Sequence, residues 1–397
     1  MTGNSVVVWS DDLAAYDFGP GHPLAPIRVQ LAMRLVRDLG LLEAPGVTVI
    51  EPDAITDDVL LTVHEPGLIA AVRAASIDPR VDDIARGIGT ADVPAFAGMH
   101  QAARAVCGAT LAATRAVHDG RAMHAVNLAG GLHHASPRSA SGFCVYNDIA
   151  VSIQYLLDRG VQRVAYVDVD VHHGDGVQEA FWNDPRVLTI SIHESGRTLF
   201  PGTGFARDIG GPDAQGYSVN LALPAGTRDE PWLRAFDAVV PPLLEQFKPE
   251  FLVTQQGCDS HAEDPLANLE LSIDGQRMTY AALHDLAHRF ADGRWIATGG
   301  GGYSWVDVVP RAWAHLVGEV VGAPIKPTTA VPESWRIFVN ENVGVTAPRV
   351  MTDGLSPAVR HWDTGYDPDS PVDSAVLRTR AAVFPWHGLA ADQPPDF

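Results

Sequence analysis

The sequence predicts an α/β fold, in which a largely parallel β-sheet is covered by helices on both faces. Two observations lead to this fold class. Short apolar runs alternate along the chain with longer segments of helical periodicity, an order typical of parallel sheets with helical connections. Clusters of polar residues also follow several of the apolar runs, at the strand ends where such sheets bind their ligands. We therefore expect one composite site at a single edge of the sheet.

Seven apolar runs have the length of buried strands. SVVVWS near the N-terminus and RVAYVDVDV in the middle of the chain are rich in valine, which favours strands. The candidate strands cover residues 5–10, 124–130, 163–171, 187–193, 217–223, 251–257 and 294–300.

Six longer segments have helical patterns. Residues 94–119 are rich in alanine at helical spacing and begin with a proline, which is favoured in the first turn of a helix. The segment from Asn147 to Gly160 starts at a capping residue and stops at a glycine. The candidate helices cover residues 26–40, 94–119, 145–159, 231–247, 274–292 and 304–320.

The length and composition fit one main domain with a large core. The chain has 397 residues, of which 46% are hydrophobic and 19% are charged, an ordinary composition for a globular protein. Two domains would fit this length, but large α/β folds also form a single domain of this size. We predict a main domain over residues 1–322 and a C-terminal extension, 323–397, packed on it. The extension is rich in proline and is expected to be irregular.

The charge of the chain argues against nucleic acid as a partner. Lys and Arg number 28 and Asp and Glu number 48, which gives a formal net charge of −20. A nucleic-acid-binding protein needs a basic surface, whereas an acidic surface favours solubility and cationic partners.

Cysteine usage and the N-terminal sequence predict a cytoplasmic protein. Three widely spaced cysteines without a CxxC motif do not make a disulfide framework and fit a reducing compartment. The first 22 residues have no basic segment followed by a long apolar run, so we expect no signal peptide. No apolar segment approaches the roughly 18 residues that a membrane span needs.

The stretch YVDVDVHHGDG (166–176) places titratable residues in an apolar strand. Because side chains alternate between the faces of a strand, Asp168, Asp170 and His172 are expected to share one face. Carboxylates and an imidazole at a strand end suit a divalent cation, and the cation offsets the cost of burying the carboxylates. Hydrogen-bonded structural residues are the alternative interpretation, but the polar clusters at other strand ends favour a metal site.

Adjacent histidines follow the second candidate strand. His133 and His134 come after a glycine pair in NLAGGLHHASPRSASGFCVYND (127–148). Neutral imidazole suits proton transfer when a carboxylate orients it, and Asp168 and Asp175 are the candidate carboxylates. A histidine pair is more often structural or exposed, so this motif gains its weight from the neighbouring clusters.

The loop QQGCDSHAEDPL (255–266) offers acidic ligands in Asp259, Glu263 and Asp264. Of these, Asp264 would complete a set of three protein ligands, which leaves one metal position open for water and substrate. An acidic surface loop is the alternative interpretation.

Two further loops offer a hydrogen-bond donor and apolar walls. Four glycines precede Tyr303 in ATGGGGYSW (297–305); they let a ligand approach closely, and the tyrosine is placed to donate to a developing oxyanion. The glycine run is not a Walker loop, since no GK[ST] follows. Phe143 and Phe200 are candidate walls of an apolar slot, with ordinary packing as the alternative.

Taken together, these motifs resemble the metal-dependent histone deacetylase family and are most like its bacterial acetoin utilization deacetylases. The resemblance covers about four-fifths of the chain, roughly residues 5–320. The segments that carry it, in the order of the family, are GGLHHASPRSASGFCVYND, YVDVDVHHGDGVQEAF, VLTISIH, FPGTG, QQGCDSHAEDPL and GGGGY.

The resemblance implies an arginase/deacetylase-type α/β domain with about eight parallel strands, with residues 1–322 as the catalytic domain. It also implies zinc-dependent hydrolysis of acetyl-lysine in proteins to lysine and acetate, with Fe²⁺ as the alternative metal. The implied metal ligands are Asp170, His172 and Asp264. The implied catalytic residues are His133, His134, Asp168, Asp175 and Tyr303, with the tyrosine stabilising the tetrahedral intermediate.

Substrate and structural-cation sites are implied by the same resemblance. The implied substrate-binding residues are Asp92 at the rim and Gly142, Phe143 and Phe200 in the acetyl-lysine tunnel. Arg28 is implied near an acetate-release cavity. A structural K⁺ or Na⁺ is implied at Asp168, Asp170, His172, Ser191 and Ile192, and a second such site at Phe181, Asp184, Val187 and Tyr217.

Other functions stay open at the level of the sequence. An acetylpolyamine amidohydrolase would use the same chemistry on a small cationic amine, which the charge of −20 allows. A non-catalytic protein that binds acetylated ligands is a third hypothesis, and an arginase-like dimetal hydrolase would need more carboxylates. Family analogy points to acetate metabolism and to acetyl-CoA synthetase as an acetylated protein substrate. The oligomeric state stays open.

Overall fold

One continuous sheet forms the centre of the molecule in the computed structural model, which describes residues 4–391. The strands are β1 Ser5–Val8, β2 Val47–Ile50, β3 His124–Asn127, β4 Val164–Asp168, β5 Val187–Glu194, β6 Ser218–Leu223, β7 Phe251–Gln255 and β8 Trp295–Thr298. They pair in the order β2-β1-β3-β8-β7-β4-β5-β6, and every pair is parallel. The predicted eight-stranded parallel α/β architecture is confirmed.

Helices connect the strands and pack in two groups. They are α1 Ile27–Asp38, α2 Asp57–Leu60, α3 Pro66–Ile77, α4 Met99–His118, α5 Asp148–Asp158, α6 Asp175–Ala180, α7 Asp229–Phe247, α8 Ile273–Phe290, α9 Val309–Val320, α10 Glu333–Asn342 and α11 Pro371–Val383. Helices α3 to α6 contact one another in sequence, and α1, α9, α8, α7 and α11 form the second group. Between residues 4 and 391, no helix combines the length and apolar character that a membrane crossing needs.

The two helix groups cover opposite faces of the sheet, as β3 shows. The Nδ2 of Asn127 donates a hydrogen bond to Oγ1 of Thr110 in α4 at 2.8 Å. The ring of His124 instead packs against His284 of α8, with centroids 4.7 Å apart. Positions 124 and 127 differ by an odd number of residues, so they point to opposite faces of a strand. The prediction of helices on both faces is therefore confirmed.

Several boundary predictions were wrong, and one strand was missed. Pro94 does not open a helix, since α4 begins at Met99 after Gly98 in a left-handed conformation (φ 81°). Strand β4 ends at Asp168, so Asp170 and His172 lie on the loop beyond it rather than on the strand. Strand β2 was not predicted at all, because its short sequence is half exposed at the edge of the sheet.

The C-terminal extension is more regular than its proline content predicted. Helices α10 and α11 form there because their prolines stand at the start of each helix, Pro332 at the N-cap and Pro371 in the first turn, where proline is tolerated. The buried side chains of Arg234 in α7 and Asp373 in α11 form an ion pair at 2.9 Å, and α11 contacts β6. The domain boundary at residue 322 stays a prediction, and residues 392–397 lie outside the described part.

Parallel pairing brings the carboxyl ends of all the strands to one edge of the sheet. Asp168 at the end of β4 pairs with Ser191 of β5 on one side and with Gln255 of β7 on the other. Gln255 in turn pairs with Thr298 of β8. The loops after β3, β4, β7 and β8 therefore start side by side at this edge, which we call the carboxyl edge.

Candidate active site

A cluster of two carboxylates and an imidazole lies at the centre of the carboxyl edge. One ligand atom each of Asp170, His172 and Asp259 lies within 4.8 Å of the others, and all three residues are buried. The Nδ1 of His172 lies 3.1 Å from Oδ1 of Asp170 and 3.1 Å from Oδ2 of Asp259. Oxygen and nitrogen ligands at this separation suit a divalent cation.

The electrostatics of this cluster reflect buried charges held close together. Burial would lower the pKa of His172, but its contacts with Asp170 and Asp259 raise it to about 10. Burial and the charge of Asp170 raise the pKa of Asp259 to about 7. Burial acts upward on Asp170 as well, yet the charge of His133 and hydrogen bonds from His172 and Gln255 hold its pKa well below the usual value.

Asp264, the third predicted ligand, lies beside the cluster and makes different hydrogen bonds. Its Oδ1 accepts from the backbone N–H of Leu266 at 3.0 Å and its Oδ2 accepts from that of Tyr303 at 2.7 Å. Burial raises its pKa to about 6, and the charges of His172 and Asp170 also act on it, so it is electrostatically part of the site. The compact group contains Asp259 in place of Asp264, and Asp264 as a ligand stays a prediction.

A close backbone approach at Gly301 helps to hold the carboxylates. The N–H of Gly301 donates to Oδ2 of Asp170 at 2.7 Å. A Cβ at this glycine would overlap Oδ2 of Asp259. The glycine run before Tyr303 is therefore needed because backbone must reach between two carboxylates that a side chain would push away.

The two adjacent histidines form a pair with the predicted carboxylates. The Nδ1 of His133 lies 2.7 Å from Oδ2 of Asp168, and the Nδ1 of His134 lies 2.7 Å from Oδ1 of Asp175. The two Nε2 atoms face each other at 3.1 Å. Each carboxylate therefore orients one imidazole so that its Nε2 points toward the other ring.

The two histidines differ in protonation. Burial lowers the pKa of an imidazole, but the negative charges of Asp168 and Asp170 outweigh it and raise the pKa of His133 to about 9. Burial and the neighbouring His133 lower the pKa of His134, against the charge of Asp175. At neutral pH the pair thus holds one charged and one neutral imidazole, an arrangement suited to moving one proton.

Tyr303 and the histidine pair line the same narrow cavity. It encloses about 270 Å³, and its walls include His133, His134, Asp170, His172 and Tyr303. Burial and the nearby carboxylates raise the pKa of Tyr303 well above its usual value, so its hydroxyl stays protonated at neutral pH. The structure therefore brings the predicted proton-transfer, metal-binding and hydrogen-bond-donating residues into one cavity.

A strained turn forms one wall of the cavity at Gly142 and Phe143. Phe143 has a positive φ of 65°, a conformation that bulky residues rarely adopt. Its carbonyl accepts a hydrogen bond from the Tyr16 hydroxyl at 2.8 Å, and the N–H of Gly142 donates to Oδ2 of Asp92 at 2.7 Å. Asp92, the predicted rim residue, thus fixes this wall through the backbone.

Phe200 contacts two of the imidazole rings of the site, those of His134 and His172. Its ring is 45% exposed and meets the ring of His134 edge-on, with centroids 5.1 Å apart. The ring of Phe143 meets Tyr303 edge-on at 5.8 Å. The two predicted tunnel residues therefore contact different members of the site. Of the two, Phe143 lines the cavity, and the acetyl-lysine tunnel stays a prediction.

Arg28 holds the backbone of the glycine run that precedes Tyr303. Its guanidinium donates to the carbonyls of Gly300 and Gly302, each at 2.7 Å, and is buried. It also lines a second cavity of about 340 Å³, which shares Leu24 and Leu132 with the candidate active site. A cavity next to Arg28 agrees in position with the predicted acetate-release cavity, whose role stays a prediction.

The predicted monovalent-cation residues lie at the end of β4, on the loop beyond it and on the adjoining strand β5. Ser191 pairs with Asp168 across β4 and β5. The Ser191 hydroxyl accepts from the N–H of Gly174 at 3.3 Å and contacts Nδ1 of His193 at 2.8 Å. Ile192 follows on β5. The cation site itself stays a prediction.

Several supporting residues were not predicted from the sequence. Gln255 donates to Oδ2 of Asp170 at 2.7 Å. The buried carboxylate of Asp148 accepts from the N–H groups of Gly131 and Leu132 and so fixes the loop that carries the histidines. Asp148 precedes an apolar helix in sequence and reads as an ordinary N-terminal acid, so only the tertiary structure shows its role.

Chemistry rather than size locates the candidate site. A larger cavity of about 1180 Å³ lies between the loop after β5 and helix α11. Its lining contains Arg197, Arg207 and Arg378 but no carboxylate, histidine or cysteine. The smaller cavity at the carboxyl edge instead holds every residue type that the sequence analysis linked to hydrolysis. This combination of sheet and site places the molecule in the class of arginase/deacetylase-type α/β hydrolases.

Comparison with known proteins assigns the family. Residues 22–320 match the model of the histone deacetylase domain. Acetoin utilization protein AcuC of Bacillus subtilis (strain 168) is 40% identical over 352 residues, which cover 88% of this chain and 90% of the relative. The proteins of the same name from Staphylococcus aureus (strain MSSA476) and Staphylococcus xylosus are 35% and 36% identical, over 84% and 83% of this chain and 86% and 85% of the relatives. The chain belongs to the histone deacetylase family and is a deacetylase of that family.

Proposed function

We propose that this protein is a metal-dependent lysine deacetylase, which hydrolyses the acetamide of acetyl-lysine in proteins to free lysine and acetate. The observation that carries the proposal is the shared cavity, in which a paired-histidine proton relay lies next to two carboxylates and an imidazole with metal-ligand spacing. Hydrolysis of an unactivated amide needs both a polarised carbonyl and a group that moves protons.

The donor set fits a divalent cation. Asp170, His172 and Asp259 offer buried oxygen and nitrogen ligands within 4.8 Å of one another. We propose Asp264, whose pKa responds to the charges of His172 and Asp170, as a further ligand. A bound Zn²⁺ or Fe²⁺ would polarise the acetyl carbonyl and lower the pKa of water. Both ions accept this ligand set, and zinc is our first choice. We also propose K⁺ or Na⁺ as a structural ion at the end of β4.

His134 is the proposed general base. Its pKa is lowered by burial and by His133, so it is neutral when the attacking water must lose a proton. Asp175 holds Nδ1 and thereby keeps Nε2 directed into the cavity. The proton taken from water is then available for the lysine nitrogen as the amide C–N bond breaks, which releases the neutral amine and acetic acid. Transfer of the acid's proton to the amine gives the final products, the lysine ammonium ion and acetate.

His133 and Tyr303 are the proposed electrostatic partners. Asp168 holds His133 charged, and a positive imidazole in a buried site favours the anionic transition state. The protonated Tyr303 hydroxyl would donate a hydrogen bond to the oxyanion, which forms on the carbonyl oxygen when water adds to the acetyl group. Phe143 and Phe200 would pack along the lysine methylenes, which are apolar although the amide is not.

The substrate class is proposed on analogy. The similar proteins are named for acetoin utilization, and we propose that this deacetylase acts within acetoin and acetate metabolism. Acetyl-CoA synthetase, carrying an acetylated lysine, is our candidate protein substrate, and we propose a cytoplasmic location. A comparison of lysine acetylation across the proteome, with and without the protein, would identify the substrates.

A direct test separates this proposal from the acetylpolyamine alternative. The metal-loaded full chain is assayed for acetate release from an acetyl-lysine peptide and from N-acetylputrescine. We expect a higher kcat/KM on the peptide. A higher kcat/KM on N-acetylputrescine would favour the polyamine enzyme, and turnover of neither substrate would favour a non-catalytic binder.

A further inference from the structure

A second cluster of histidines lies at the opposite edge of the sheet, where the strands begin. His124 is the first residue of β3, and His284 and His288 lie on α8. One ring nitrogen of each lies within 4.8 Å of the others. The Nε2 atoms of His284 and His288 are 3.1 Å apart, and the His124 ring centroid lies 4.7 Å and 4.9 Å from the two helical rings. We call these three residues the histidine cluster.

We propose that the histidine cluster binds a second metal ion, of the borderline divalent class that includes Zn²⁺, Ni²⁺ and Cu²⁺. Imidazole is the ligand that these ions share. Three neutral imidazoles with a fourth position open to water make a known type of zinc coordination. The site is separate from the candidate active site, because it lies at the amino-terminal ends of β3 and β8 rather than at their carboxyl ends.

His124 supplies the observation that points to a ligand. Its side chain is only 4% exposed, yet within the described part of the chain neither of its ring nitrogens has a hydrogen-bond partner. A buried polar group without a partner is rare in native structures and calls for an explanation. A metal ion bound to one nitrogen would supply the missing interaction.

The helical pair has the spacing that metal sites use. His284 and His288 are four residues apart on α8, so their side chains lie on the same face one turn from each other. This i, i+4 arrangement is how a helix presents two imidazoles to one zinc ion. Because His124 faces both rings from the strand, the three nitrogens converge from two different elements.

Neighbouring residues orient His284. Its Nδ1 lies 3.6 Å from Oε2 of Glu319 in α9, and its ring stacks on the buried Trp295 with an interplanar angle of 19°. Nε2, rather than Nδ1, is the nitrogen of His284 that faces His288 and the proposed metal position. Burial and the two neighbouring rings also lower the pKa of His124 to about 3, so its lone pair is available at neutral pH.

Metal stoichiometry in the untagged full chain tests the proposal. The protein is stripped with a chelator, reloaded with Zn²⁺, freed of excess metal and analysed by mass spectrometry of the metal content. We expect wild type to retain one more equivalent than His288→Ala and than His284→Ala. His288 is exposed, so its substitution leaves the fold intact, and deacetylase activity should be unchanged in both variants.

Two further variants make the result decisive. His361→Ala removes an exposed histidine outside the cluster and should retain as much zinc as wild type. In an Asp170→Ala chain the retained zinc should disappear on adding His288→Ala, which separates this site from the proposed catalytic one. Equal zinc content in wild type, His284→Ala and His288→Ala would overturn the proposal, whatever the catalytic activity.

Discussion

The two edges of the sheet each hold a cluster of three imidazoles, but in different surroundings. At the carboxyl edge the rings belong to His133, His134 and His172, and each has a carboxylate within 3.1 Å. At the opposite edge they belong to His124, His284 and His288, where the nearest carboxylate that contacts a ring in the described residues is Glu319 at 3.6 Å. The imidazole cluster at the carboxyl edge is therefore surrounded by carboxylates, whereas the cluster at the opposite edge has few negative charges near it.

This difference indicates that nearby carboxylates can outweigh burial in setting the pKa of a buried histidine, as they do at His133 and His172 but not at His134. Burial acts in the same direction in all of them, toward a lower pKa. Carboxylates overcome it and raise the pKa of His133 to about 9 and that of His172 to about 10. Without a carboxylate, the pKa of His124 falls to about 3. The charged cluster suits proton transfer and the neutral cluster suits a metal with imidazole ligands alone.

The largest contrast is expected in catalysis. His134→Ala removes the proposed general base and should lower kcat on an acetyl-lysine peptide by about 10²–10⁴-fold. His284→Ala, at the opposite edge, should leave kcat unchanged. Steady-state acetate release from the metal-loaded proteins measures both. Equal losses in the two variants would break the functional distinction between the edges.

Tyr303→Phe should produce the next largest effect. It removes one hydroxyl that would donate to the oxyanion, and loss of one such donor typically lowers kcat by about 10²–10³-fold. Because the interaction forms in the transition state, KM should change little. An unchanged kcat would remove Tyr303 from the proposed mechanism, and circular dichroism would check that the fold is retained.

His64 tests whether nearby charges or the location in the fold set the pKa of a buried imidazole. It is buried at the carboxyl edge, but its Nε2 accepts from the N–H of Asn147 at 3.0 Å and its Nδ1 faces the carbonyl of Ser136 at 3.0 Å. Burial lowers its pKa to about 4. The unfolded chain therefore takes up the proton first as the pH falls, and the stabilising contribution present above pH 6.5 is lost progressively toward pH 4.

Urea unfolding at two pH values measures this contribution. Between pH 7 and pH 5, His64 alone should lower the free energy of unfolding of wild type by about 2 kcal/mol. His64→Gln has no titrating group there and should lose that much less over the same interval. The same pH dependence in both proteins would mean that His64 does not contribute to it, which would contradict a lowered pKa at this buried imidazole.

The smallest expected effect is a gain in stability at the opposite edge. His124→Leu conserves volume and removes two buried nitrogens that lack hydrogen-bond partners among residues 4–391. In the metal-free protein it should raise the free energy of unfolding by about 1 kcal/mol. His64→Leu is the matched control and should destabilise, since it leaves the N–H of Asn147 without its acceptor. Destabilisation of the same size in both variants would contradict the comparison.

Local sequence patterns predicted most strands of the sheet but missed β2, the outermost strand on one side. The valine-rich runs at 5–10 and 163–171 predicted strands, because side chains buried on both faces leave a continuous apolar signal. Strand β2 leaves no such signal, since Thr48 and Val49 are exposed. The helices of the extension were missed because prolines at helix starts were taken to mean irregular structure.

The residues of the candidate site were predictable, but their mutual contacts were not. Asp168 and Asp175 were predicted as the carboxylate partners of the two histidines, and the structure places Asp168 2.7 Å from His133 and Asp175 2.7 Å from His134. Local sequence did not reveal that Asp148 fixes the histidine loop. The histidine cluster was not predicted for the same reason. His124 and His284 are 160 positions apart, and their rings meet only in the folded chain, where the side chain from β3 contacts α8.

The most direct test of the account is acetate release by the full chain from an acetyl-lysine peptide, before and after metal removal. We expect one acetate and one free lysine for each amide cleaved, loss of turnover with a chelator, and recovery on adding Zn²⁺ or Fe²⁺. Turnover that persists undiminished in the fully stripped protein, or no acetate release from the metal-loaded protein, would contradict a metal-dependent hydrolase at the carboxyl edge.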